Sequence, residues 1–210
     1  MGEMTIGTEQ GWSDAWCALG VALPPTDLLQ SLTLAWREPQ RHYHTLQHLE
    51  ECLMWFDGQR AAAEHPAEVA LALWFHDAVY DVHAHDNEAR SADWARDEMR
   101  AAGVATEAAD RVHALVMATQ HDVLPQGADA QLLIDIDLAI LGASPQRFDE
   151  YEQQVRAEYA HVPDAIFWPR RRALLQRFVQ RDALYATPGM HVLLEAPARA
   201  NLARSIGRIA

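Results

Sequence analysis

Residues 71–80 read Leu-Ala-Leu-Trp-Phe-His-Asp-Ala-Val-Tyr. On a 3.6-residue repeat the apolar side chains cover nearly the whole circumference, so the spacing predicts a central, buried helix rather than a surface one. His76 and Asp77 then enter the hydrophobic core side by side. An uncompensated buried carboxylate is strongly destabilising, so Asp77 requires a partner.

Outward from this stretch, apolar spacings of three and four recur along almost the whole chain, and the prolines fall between the periodic segments. Predicted helices cover 10–20, 26–37, 44–60, 66–80, 87–102, 106–121, 128–141, 145–160, 170–186 and 190–208. Thr26-Asp27 and Thr106-Glu107 read as helix starts, Gly103 and Gly142 as stops. Only Ile134–Asp137 alternates like a strand, too briefly to build a sheet. The expected architecture is all-α, a single-domain bundle of about 8–10 helices over the length of the chain. Its core motifs lie in 41–142, and the helices of 145–208 are expected to pack on them.

Composition narrows the chemistry. All 17 basic residues are arginine, which excludes the lysine of a phosphate-binding P-loop and lysine Schiff-base catalysis. The formal charge is −13 and stays negative even with all 11 histidines cationic, so nucleic-acid polymers and anionic membranes are poor partners. No apolar run approaches the roughly 18 residues of a membrane span. The first ten residues lack the basic and apolar regions of a secretory signal. Cys17 and Cys52 have no CxxC spacing and read as buried thiols of a cytoplasmic protein.

Residues 132–141, Leu-Leu-Ile-Asp-Ile-Asp-Leu-Ala-Ile-Leu, carry ionisable groups into a second apolar run. On a helix, Asp137 faces Leu133, Ile134, Ile140 and Leu141, whereas Asp135 faces Gln131, Leu132, Leu138 and Ala139. Asp137 is therefore expected to be the deeper carboxylate and Asp135 a surface or supporting group. His44 and His48 stand at i, i+4, on one expected helix face. Imidazoles and carboxylates drawn from three helices suit a divalent ion: Mn, Fe, Co, Ni or Zn, or Mg if carboxylates and water dominate. The two cysteines alone cannot build a zinc cage. The competing reading pairs His76 with Asp77 or a backbone carbonyl, and Asp137 with an arginine.

The ordered series RHYHTLQH (41–48), WFHDAVYD (74–81), DNEARSA (86–92), DIDLAILG (135–142), RAEY (156–159) and EAPARANL (195–202) resembles the HD-domain metal-dependent phosphohydrolases. It is most similar to a bacterial subgroup of predicted HD phosphohydrolases, with the likeness running from about Arg41 to the C-terminus. That resemblance implies an HD-type helical bundle with His48, His76, Asp77 and Asp137 as metal ligands. His44 and His121 are implied as further ligands or supporting groups. It further implies hydrolysis of a small anionic phosphoester, such as a nucleotide, by metal-activated water. The proton acceptor is sought in Asp81 and Glu88, with Asn87 as orienter. Tyr80 stands where the alarmone hydrolases carry an acid, which argues against alarmone as the substrate. Arg41, Arg156 and Arg171 are the expected phosphate contacts, while Arg199 and Asn201 are expected to tie down the last helix. Two other functions fit the same residues: an HD-fold di-iron oxygenase, which needs more histidine ligands, and a non-catalytic regulatory module that binds metal or nucleotide. A homodimer is compatible with each.

Overall fold

Pro66, which needs no N–H in a first turn, opens a helix in which every residue from Ala67 to Phe75 is buried. The computed structural model describes residues 6–120 and 125–209, and all regular structure among them is helical. The elements are α1 (Ile6–Ala18), α2 (Thr26–Ala35), α3 (Leu46–Gln59), α4 (Pro66–Phe75), α5 (Asn87–Ala101), α6 (Thr106–Met117), α7 (Ala128–Asp137), α8 (Pro145–Glu158), α9 (Asp164–Val179) and α10 (Pro188–Arg208). Short 3-10 segments follow α3, α6 and α7. The all-α expectation is met, and no helix among the described residues is long and apolar enough to cross a membrane. The chain divides into two compact units, Met1–Ile134 and Asp135–Ala210, with the division inside α7.

In the first unit α4 is the axis, packed by α1, α3, α5 and α6. Its all-round apolar surface calls for such an enclosure. Trp12, Trp16, Trp36 and Trp74 are fully buried, and Trp12 meets Trp74 edge to face at 5.1 Å between ring centroids. The Asp129 carboxylate sits at the N-terminus of α4, accepting the N–H of Glu64 at 2.7 Å and Nδ1–H of His65 at 2.8 Å. An anion is favourable at that end of a helix. Glu68, buried within α4, accepts a two-pronged contact from Arg111, Nε to Oε2 at 2.8 Å and Nη2 to Oε1 at 2.6 Å. After α5 the chain turns through Gly103 at φ +83°, with Val104 N–H donating to Met99 O and Gly103 N–H to Arg100 O, both 3.0 Å. This glycine stop, expected from sequence, satisfies the last carbonyls of the helix.

The end of α4 departs from the sequence expectation: it stops at Phe75 rather than Tyr80. The carbonyls that a longer helix would occupy are claimed by side-chain donors, most of them distant in the chain. Trp36 Nε1–H donates to Trp74 O at 3.0 Å, and His76 Nδ1–H to Leu73 O at 2.7 Å. Arg41 donates from Nη1 to Asp77 O at 2.6 Å and from Nη2 to Ala78 O at 2.9 Å. His76 and Asp77 thus stand on the turn that ends the helix, not within it.

In the second unit α10 packs on the 3-10 segment Leu138–Gly142 and on α9, and α8 packs on the same segment. Asn201 Nδ2 donates to the carbonyls of Leu141 and Ala143, both at 2.9 Å. Arg199 Nη2 holds the carbonyls of Arg181 at 2.9 Å and Asp182 at 3.0 Å. These are the ties expected of the EAPARANL stretch. α9 starts and ends some six residues earlier than expected and contains Pro169, which the sequence reading placed before the helix. Phe167, Arg171, Leu175 and Phe178, spaced four, four and three, are buried on one face and outweigh the N–H that proline removes. Gly142 lets α10 approach closely: a Cβ there would stand 2.7 Å from Leu194 Cβ and 3.0 Å from Leu194 O. Gly142→Ala is expected to lower unfolding free energy by about 1–3 kcal/mol in chemical denaturation, the usual range for overpacking.

Candidate metal centre

α3 begins at Leu46 because Thr45, at its N-cap, is extended with φ −116° and ψ 178°. His44 therefore precedes the helix and does not share a face with His48 as the spacing suggested. The residue one turn after His48 on α3 is Cys52, and both are buried. From sequence both cysteines are expected to be buried thiols. Cys17 is instead exposed, on the side of α1 away from buried Trp12, Ala15 and Trp16, and Cys52 is buried near His48 and His76.

His76 caps α4 and donates Nδ1–H to Leu73 O at 2.7 Å, which leaves Nε2 as its lone-pair nitrogen. That nitrogen lies 3.2 Å from His48 Nε2 and 3.3 Å from Asp77 Oδ2. His48 Nε2 is 3.9 Å from Asp77 Oδ2, and Cys52 Sγ is 3.7 Å from His48 Nδ1. The ligand atoms of His48, Cys52 and His76 all fall within 4.8 Å of one another. Ligands bound about 2.0–2.3 Å from a tetrahedral ion are separated by about 3.3–3.8 Å, so the nitrogen and sulfur donors of His48, Cys52 and His76 are near enough to one another to hold a metal ion. A ligating histidine whose other ring nitrogen donates to a backbone carbonyl is the usual supporting arrangement.

His48 and His76 are 2% and 1% exposed, whereas the Asp77 side chain is 17% exposed and the His44 side chain 22%. His48 and His76 form the buried side of the centre, and Asp77 and His44 are the partly exposed groups beside them. Trp36 packs on His76 at 5.4 Å, Tyr43 on His48 at 4.7 Å, and His44 stacks on Tyr80 at 4.2 Å. His44 Nε2 approaches Asp77 Oδ2 to 4.0 Å. Trp74 and Phe75 are buried in the core, as the all-round apolar pattern of residues 71–80 predicts.

Arg41 has no exposed side-chain surface. Besides Asp77 O and Ala78 O, it reaches His44 O from Nη1 at 3.3 Å and Glu38 Oε2 from Nε at 3.1 Å. The structure gives this guanidinium, expected to meet phosphate, the task of clasping the His44 and Asp77 backbones together. Asp81 and Asn87 brace the next loop: Asp81 N–H donates to Asn87 Oδ1 at 3.1 Å, and Asn87 Nδ2 to Asp81 O at 2.9 Å. The Asp81 carboxylate accepts the N–H of His83 at 2.9 Å. Ser91, fully buried, accepts the N–H of Val79 at 3.0 Å, so the DNEARSA stretch holds the backbone that follows the His-Asp pair. Glu88 is half-buried in the first turn of α5, where the helix favours an acid. His121 lies outside the described residues.

The two aspartates of α7 exchange their expected depths. Asp135 is 1% exposed, and Asp137, the last residue of α7, is half-buried. Asp135 accepts the N–H groups of Ala186 at 2.9 Å and Thr187 at 2.6 Å and the Thr187 hydroxyl at 2.7 Å, at the start of α10. Burial pushes its carboxyl above the usual range, opposed by the hydrogen bonds from Thr187 and Ala186. The face count failed because these partners come from some fifty residues downstream.

The other two expected phosphate contacts are built into the second unit. Arg156 reaches Asp164 from Nη2 at 2.7 Å and Tyr159 O from Nη1 at 2.7 Å, and lies over the Phe167 ring at 4.7 Å. Arg171 is buried, paired with Glu152 and over the Tyr151 ring at 5.0 Å. Desolvation works against that guanidinium's charge, but Tyr151 and Glu152 more than offset it and raise its pKa. No protein-family model matches the chain, and neither a curated protein nor a solved structure matches it.

Proposed function

We propose that this protein is a metal-dependent phosphohydrolase of a small phosphoester, such as a nucleotide, and that His48, His76, Asp77 and Asp137 bind the metal. The observation carrying this reading is the buried convergence of His48 Nε2, His76 Nε2 and Asp77 Oδ2, with the His76 tautomer set by Leu73 O. Asp137 joins the set on its sequence motif. A bound divalent ion supplies a Lewis acid for a phosphoryl oxygen and makes hydroxide available at neutral pH.

The chain's own residues would do the rest. His48 and His76, locked by burial and by Leu73 O, offer fixed nitrogen donors. Asp77 offers an anion at the solvent side, which a cation compensates. His44, partly exposed and 4.0 Å from Asp77, is assigned to exchange a proton with solvent, and Asp81 and Glu88 are retained as alternative acceptors. With no lysine, and with Arg41 and Arg171 using their donors internally, phosphate recognition is assigned chiefly to the metal.

The test is a panel of phosphomonoesters, phosphodiesters and nucleotides incubated with purified protein and Mn, Mg, Co or Ni in turn. Expected is metal-dependent release of phosphate or of a nucleoside product, abolished by a chelator. Metal-replete protein that binds a nucleotide but cleaves none of the panel would point to the regulatory module. Two irons per chain without hydrolysis would favour the oxygenase, for which the approach of His44 to Asp77 is the supporting observation.

A further inference from the structure

We propose that Cys52 is itself a ligand of this centre, its thiolate completing a His-Cys-His donor set that selects zinc, cobalt or iron(II) over magnesium. This rests on the metal-binding reading of His48 and His76, though not on hydrolysis. Cys52 is 2% exposed and lies one helical turn after His48, so α3 delivers both side chains from one rigid face. Its Sγ is 3.7 Å from His48 Nδ1 and 3.8 Å from Nε2. Together with His76 these three donors gather within a 4.8 Å sphere of separations. The Sγ–Nε2 separation of 3.8 Å to His48 and the Nε2–Nε2 separation of 3.2 Å between the histidines are close to those of donors sharing one tetrahedral ion.

The chemical consequence follows from ligand softness. Magnesium takes hard oxygen ligands and keeps much of its water, whereas thiolate and imidazole together favour zinc, cobalt and iron(II). On binding, the thiol S–H bond breaks, sulfur bonds the metal, and the proton passes to solvent. The donors then number two nitrogens and one sulfur before any carboxylate is counted.

The experiment is a cobalt(II) titration of metal-free protein in a Cys17→Ser background, which removes the exposed thiol. Expected is a near-ultraviolet sulfur-to-cobalt charge-transfer band that grows with binding and resists a large excess of magnesium. Cys52→Ser is expected to lose the band and bind cobalt about tenfold or more weakly. Should that variant fold poorly, X-ray absorption of zinc-loaded Cys17→Ser protein gives the answer without it, as a zinc–sulfur shell at about 2.3 Å. Cobalt binding with no charge-transfer band, or a zinc shell of nitrogen and oxygen alone, overturns the thiolate proposal and leaves the metal site standing. A protein that takes up neither cobalt nor zinc overturns both.

Discussion

Asp77→Asn is expected to weaken divalent-metal binding by roughly a hundredfold while leaving the fold intact. The carboxamide keeps the shape of the side chain but removes the negative charge and the better oxygen donor. The backbone carbonyl of Asp77, which Arg41 holds at 2.6 Å, is unaffected. Because the side chain is partly exposed, the change in unfolding free energy of the metal-free protein should stay within about 0.5 kcal/mol. Calorimetric metal titration alongside thermal melts separates the two effects. Unchanged affinity would remove Asp77 from the ligand set; hydrolysis that survives in this variant would remove it from the proposed mechanism.

Arg41→Ala should produce the largest loss of stability among single surface-remote changes near the centre, about 3 kcal/mol. It strips the donors from Asp77 O, Ala78 O and His44 O in a buried place, and each orphaned carbonyl costs about 1–3 kcal/mol unless water replaces the lost partner. It also uncovers the rings of Trp36 and Tyr80, over which the guanidinium lies at 5.5 and 5.4 Å. Arg41→Lys should recover less than half, because one ammonium cannot span carbonyls that a planar fork reaches together. Metal affinity should fall about tenfold in Arg41→Ala, since the clasp positions the His44 and Asp77 backbones. Equilibrium denaturation of the metal-free variants measures the first effect and metal titration the second. An Arg41→Ala protein as stable as the parent would show that the clasp is dispensable.

The two experiments probe features that differ in how far they can be read from the chain. The buried character of α4 and its start at Pro66 were legible, because apolar residues on every face of a helix leave no solvent side. So were the stop at Gly103 and the fastening of α10 by Arg199 and Asn201. The pairing of His76 with Asp77 near His48 was legible as a motif. Cys52 was not singled out, although its spacing of four from His48 was the available signal once α3 was known to begin at Leu46. Glu68 could have been flagged in the same way as Asp77, as a lone acid in an apolar run, and its partner Arg111 lies two helices away.

Local periodicity therefore accounts for which segments are helical and which faces are apolar, and the absence of lysine for which cationic chemistry is open. It does not account for where α4 stops, which nitrogen of His76 carries the lone pair, or why Asp135 rather than Asp137 is the more deeply buried. The first and last of those outcomes depend on hydrogen-bond donors contributed by other segments, whereas the His76 tautomer follows from Leu73 O once α4 ends where it does. Arg41 and Trp36 take the carbonyls at the end of α4, and Thr187 and Ala186 take the Asp135 carboxylate. Buried polar groups must find partners, and a chain read in order shows the need for a partner but not which distant residue folding will bring to it.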